Sequence, residues 1–249
     1  MSARSAFPIT GRDAPEYVAA AADGSSAVRD WEIVRWIGRM GAVTVDQIRA
    51  RFGLGRTAGY RRVAACASAG LVERVETLRG QPSLIRATKA GLRFTGLELR
   101  IAQVRPELVG HWIACGDVAL ALEREFGAAA VVSEREIRVV EADTTRPLAS
   151  AIVGERPDGT EIRHRADLAV LRKGETVAIE VELTAKAPRR LEAIVRAWRR
   201  ARWVAGVRYY VAAGVAGAVE RAIARTHAAD RVDVHAGLPP ASHHREGEG

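Results

Sequence analysis

Lysine and cysteine are both scarce in this chain. Two cysteines, Cys66 and Cys115, stand among 249 residues, and no C-x-x-C occurs. They are expected to be reduced, buried and inert. No clustered Cys/His spacing supports structural zinc. Lysine appears only as Lys89, Lys173 and Lys186, so the positive charge is carried almost entirely by arginine. No apolar run of about 18 residues is present, which gives no candidate membrane span. The first residues, Met-Ser-Ala-Arg-Ser-Ala-Phe-Pro, lack an apolar signal core, so the expected compartment is the cytoplasm. Neither G-x-x-x-x-G-K-[S/T] nor G-x-G-x-x-G occurs, and nucleotide-triphosphate or dinucleotide use has no signal. No tyrosine is placed as a relaxase nucleophile would be.

What the chain does have is charge of one sign. The formal net charge is +8 and the hydrophobic share is 48%, enough to fill a sizeable core. An isoelectric point of about 10.3 favours a polyanionic partner. The charge is also uneven. Residues 31–100 carry thirteen Lys+Arg against five Asp+Glu. Residues 101–186 carry eleven against fifteen, and residues 187–249 eleven against six. An acidic centre between basic flanks suits a cation site bracketed by phosphate-binding surfaces.

Residues 1–29 show no sustained periodicity and read as a flexible arm; residues 239–249 read as a disordered tail. From Asp30, a helix cap, the apolar residues Trp31, Val34 and Ile37 fall at helical spacing. Thr44 caps a second helix, Val45–Phe52, with Gln47 at the capping-box position. A third helix runs from about Thr57 to Ala69, where Gly70 stops it. Leu71–Val75 and Ser83–Ala87 are short strands. Three helices followed by a two-stranded ribbon resembles a winged helix-turn-helix domain over 30–97, particularly in T-x-x-Q-I at 44–48 and G-L-V-E-R at 70–74. The resemblance implies that the third helix enters the major groove of double-stranded DNA. Arg56, Tyr60, Arg61 and Arg62 would face the DNA, with Arg79 at the wing tip. Phosphate contact is the expected role for most of these arginines.

Residues 98–238 read as a second domain, opening on a helix from Leu108 to Phe126. Its Glu123, or an acid of 131–138, is a candidate to join a site further along the chain. That site is carried by a β-hairpin: Leu168–Leu171, a turn at 172–175, and Thr176–Leu183. Asp167 precedes the first strand. Glu180 and Glu182 lie two apart on the second and share a face. Three carboxylates converging beside an apolar sheet need pairing, hydrogen bonds or a metal. Oxygen clusters of this kind suit Mg²⁺ or Mn²⁺. Lys186 follows and can place a cation nearby. Pro188 then opens a helix whose Leu191, Ile194, Val195 and Trp198 share one face, with Arg190 and Arg196 among the residues offered to a phosphate backbone.

This arrangement resembles the PD-(D/E)xK phosphodiesterase core of many restriction endonucleases. Asp167 matches its aspartate and Glu180 its (D/E). Ala166 stands where proline is usual, and Glu182 where lysine is usual. Pro157-Asp158-Gly159 also spells "PD" but reads as a turn. The winged helix, S-E-R-E-I-R at 133–138, H-R-A-D at 164–167 and E-V-E-L-T-A-K at 180–186 together resemble the replication-relaxation family of plasmids and mobile elements. The resemblance covers about residues 30–235. It implies an α+β protein: a winged helix-turn-helix, then a restriction-endonuclease-like α/β domain with a mixed sheet. Two functions remain open. One is a metal-dependent DNA endonuclease or nickase, with Asp167, Glu180 and Glu182 as ligands and Lys186 stabilising charge. The other is a non-catalytic DNA-binding regulator or replication accessory protein, whose second domain serves as a platform for DNA or for a homodimer.

Overall fold

A computed structural model describes residues 24–77, 80–142, 144 and 147–239. The chain divides into two compact units, which among these residues are 24–116 and 117–239. No helix among the described residues is long and apolar enough to cross a membrane.

The first unit begins with α1 (Gly24–Met40). The expected arm therefore ends earlier than residue 29, and Asp30 lies inside the helix rather than capping it. Nothing between Gly24 and Asp30 breaks a helix, and the Asp30 carboxylate turns to Arg62 at 3.2 Å. After β1 (Ala42–Val43), Thr44 caps α2 (Val45–Phe52). The capping box forms as expected: the Gln47 N–H donates to Thr44 Oγ1 at 3.1 Å, and the Thr44 N–H to Gln47 Oε1 at 3.0 Å. Gly53, at φ 62°, closes the helix in the left-handed region. α3 (Arg56–Ser68) follows, then β2 (Val72–Val75), β3 (Leu84–Ala87) and the short α4 (Lys89–Phe94).

The three strands form an antiparallel sheet in the order β1-β3-β2. α1 packs against it and against α3 and α4, burying Ile33, Val34, Trp36 and Ile37. Residues 98–116, which the sequence assigns to the second domain, pack with this unit. The Arg86 guanidinium donates to the Ala102 carbonyl at 2.9 Å, and Gln47 Nε2 to the Ile113 carbonyl at 2.7 Å. Val104, Val109, Trp112 and Ile113 join Ala42 and Leu84 in an apolar cluster.

The second unit is mixed α+β. After α5 (Val109–Phe126) come β4 (Val131–Ser133), α6 (Glu134–Ala142), β5 (Ser150–Glu155) and β6 (Glu161–Arg165). β7 (Leu168–Arg172), β8 (Glu175–Glu182), α7 (Pro188–Arg200), β9 (Gly206–Val211), α8 (Ala216–Thr226) and β10 (Val232–Ala236) complete it. The central sheet has the order β10-β9-β8-β7-β4. β10, β9 and β8 run parallel, while β7 is antiparallel to β8 and β4. The expected hairpin is β7–β8, joined through Lys173 and Gly174, both at positive φ (50° and 83°). That pair of angles is the type I′ turn that suits strand twist. α7 buries Leu191, Ile194, Val195 and Trp198 against the sheet's core and leaves Arg190 and Arg196 exposed. The β5–β6 ribbon was not expected from sequence. Its connection contains Pro157-Asp158-Gly159, which is a turn as read, closed by the Thr160 N–H donating to Asp158 Oδ1 at 2.9 Å.

Candidate functional site

The hairpin register decides which acids meet. Leu168 pairs with Ile179, so the next antiparallel step sets Asp167 across from Glu180. Asp167 Oδ2 accepts the Val181 N–H at 2.7 Å, which fixes the carboxylate at the strand end. Glu180 and Glu182 lie on one face of β8, 3% and 6% exposed. β9 runs parallel beside them, pairing Tyr209 with Glu180 and Val211 with Glu182. Side chains of paired residues point to the same side of a sheet, so Tyr209 joins the acidic face. It is 1% exposed, and its hydroxyl has no hydrogen-bond partner among the described residues.

Two further elements close on Glu180. From β6, His164 Nε2 lies 2.8 Å from Glu180 Oε1. From α7, Trp198 Nε1 donates to the same oxygen at 2.9 Å. The two rings meet edge to face with centroids 6.1 Å apart. Lys186, in the loop after β8, forms an ion pair with Glu182.

The electrostatics follow from burial. Burial pushes the Glu180 carboxyl above its ordinary range; His164 pulls it down, while the charge of Asp167 adds to the rise. Burial works to lower the His164 pKa, but the charge and hydrogen bond of Glu180, with help from Asp167, more than offset it and leave it raised. The Tyr209 hydroxyl is pushed well above its usual value, first by burial and then by Glu180, Glu182 and Asp167. The charges of Asp167, Glu180, Glu182, His164 and Lys186 thus act on one another or on Tyr209. Sequence reasoning marked four of these residues. His164 and Tyr209 are not marked as site residues by the sequence, because neither the parallel β8–β9 register nor the fold-back of β6 has a local signal.

The other candidate acids have separate roles. Glu136 is fully buried in a capping box with Ser133: Ser133 Oγ and N–H donate to Glu136 Oε2, each at 3.0 Å, and the Glu136 N–H donates to Ser133 Oγ at 3.3 Å. The S-E-R-E segment is thus a helix start. Glu134 pairs with Arg138 one turn along the same helix. Glu141, which the sequence did not single out, is buried and accepts from Leu148 N, Ala149 N and Ser150 Oγ.

The residues expected to meet DNA are distributed as follows. Arg56, Tyr60 and Arg61 are exposed on α3, Tyr60 at 45%. Arg62 is half-buried and bound to Asp30, which gives it a packing role inside the first unit. Arg79 lies outside the described residues. The two cysteines also differ: Cys66 is buried as expected, whereas Cys115 is partly exposed, its Sγ 3.4 Å from His111 Nε2 one turn back on α5. No family model matches the chain, and no curated protein matches it in sequence.

Proposed function

We propose that the protein is a DNA-binding protein of plasmid or mobile-element replication or relaxation, acting as a Mg²⁺- or Mn²⁺-dependent endonuclease or nickase. The observation that carries this reading is the β7–β8 register, which sets Asp167 across from Glu180 with Glu182 on the same buried face as Glu180, beside a buried Tyr209 hydroxyl that has no hydrogen-bond partner among the described residues. The donor set fits a hard divalent cation, since every donor is oxygen and three carry charge. Such an ion, when bound, lowers the pKa of a water and offsets charge that develops on phosphate. Asp167 and Glu180 would be its ligands, and Glu182 a third ligand or the group that orients the water. Lys186 sits on Glu182, where it can neutralise a phosphate oxygen. His164 and Trp198 hold Glu180 in place.

The first unit supports a winged-helix reading, through three helices followed by a β-hairpin packed on them. On that reading α3 is the recognition helix, with Arg56, Tyr60 and Arg61 toward DNA.

A second reading also has an observation in its favour. Each acid is already satisfied internally: Glu180 by His164 and Trp198, Glu182 by Lys186, Asp167 by the Val181 N–H. A cluster closed in this way can stabilise a fold without chemistry, leaving a non-catalytic DNA-binding regulator. Thermal melting with Mn²⁺ separates the two, because binding to the folded state alone raises the midpoint. On the enzyme reading Mn²⁺ raises the wild-type midpoint, Asp167→Ala loses that rise, and supercoiled plasmid is nicked unless chelator is present. Equal metal responses in wild type and Asp167→Ala, with plasmid intact, support the regulator.

A further inference from the structure

Beyond the acid cluster, a groove of about 430 Å³ runs between α7 and α8 in the second unit. Its walls carry Lys186, Arg221 and Arg225 against a single acid, Glu192. Its floor is apolar, formed by residues such as Leu191 and Ala222. Two of the cations are engaged: Lys186 with Glu182, and Arg225 with Glu192 at 2.9 Å. Arg221 forms no ion pair with any described residue. Its guanidinium lies over Gly217 in the first turn of α8, where a Cβ would stand 3.2 Å from Nη1. The absent side chain gives it room to fold back along the helix.

Lys186 belongs to both places. It pairs with Glu182 of the acid cluster and lines the groove, so the groove adjoins the cluster. We infer that this groove is a phosphate-binding subsite, holding a phosphate ester that flanks the one presented to the acids. The inference rests on the phosphodiesterase reading for its placement and on Lys186, Arg221 and Arg225 for its chemistry. With Lys186 held by Glu182 and Arg225 by Glu192, three cations stand against two carboxylates and leave an excess of one positive charge, suited to phosphate. Internal phosphates of a strand and a terminal phosphate share this chemistry.

Two variants with opposite expected signs test it, measured in chelator so that no cutting occurs. The probe is a short single-stranded oligodeoxynucleotide labelled at its 3′ end, prepared with a 5′-phosphate or a 5′-hydroxyl, and read by fluorescence anisotropy. Arg221→Glu should weaken binding about tenfold at low salt and reduce the salt slope by at least about 0.7. Glu192→Gln removes the only acid of the groove and frees Arg225, so it should tighten binding. Equal effects on both probes assign the groove to internal phosphates of a strand. Effects confined to the 5′-phosphate probe, with competition by inorganic phosphate, assign it to a terminal phosphate. If neither variant changes the affinity of either probe, the inference is overturned. Mn²⁺-induced stabilisation, followed in the same proteins, keeps the two readings apart. A wild type that ignores Mn²⁺ while Arg221→Glu still loses the oligonucleotide rejects the metal site and leaves the groove standing.

Discussion

Cys66 shows how one buried side chain sets a pH response. Burial first, then the charge and hydrogen bond of Asp30, push its thiol from 9.0 up to about 12. Between those values the unfolded chain releases the proton and the folded chain keeps it. The contribution is therefore complete below 9.0 and is lost as pH rises, by about 1.4 kcal/mol per pH unit inside the window. Denaturant unfolding followed across that window should show a shallower alkaline decline for Cys66→Ala than for wild type. Superimposable declines would remove the thiol as the cause. Tyr209 makes a second case. Its buried hydroxyl has no hydrogen-bond partner among the described residues, a situation that costs about 1–3 kcal/mol. Tyr209→Phe should thus be neutral or stabilising without metal, yet reduce the rise in melting midpoint that Mn²⁺ produces. Destabilisation with an unchanged metal response would place the hydroxyl outside the cation site.

At the scale of elements, local signals were legible and long-range pairings were not. Thr44 with Gln47, and Gly70, marked the helix boundaries, because caps act within one turn. The β7–β8 hairpin was readable from alternating apolar strands around Lys173-Gly174, and its register brought Asp167 to Glu180. The face of α7 followed from the spacing of Leu191, Ile194, Val195 and Trp198. What sequence did not reveal depends on distant partners. The β8–β9 pairing brings Tyr209 to the acids, and the β5–β6 ribbon returns His164 to Glu180. Asp30 looked like a cap because its partner Arg62 is a helix away. The Ser133–Glu136 box was a local signal, obscured by reading those acids as site candidates. Ser133→Ala should destabilise the second unit by about 0.5–2 kcal/mol, measured by chemical denaturation, without altering DNA binding. A loss of DNA affinity at unchanged stability would contradict the structural role.

For the whole molecule, we propose that the first unit grips DNA and the second carries cation-dependent cutting. Thirteen basic residues against five acidic in residues 31–100 favour duplex binding that weakens with salt. Arg61 is exposed and Arg62 is tied to Asp30, so the two should differ. In gel shifts across a salt series, Arg61→Ala should lower the salt slope by about 0.9, whereas Arg62→Ala should chiefly destabilise α1 against α3. Equal slopes for wild type and Arg61→Ala would take α3 out of the interface. The central claim is that Glu180 serves the chemistry and not the grip. Its most direct test is nicking of supercoiled plasmid in Mn²⁺ by wild type and Glu180→Ala, with duplex binding measured on the same samples. Wild type should nick, and Glu180→Ala should bind duplex nearly as well but leave the plasmid intact; nicking that persists in Glu180→Ala would contradict a chemical role for Glu180.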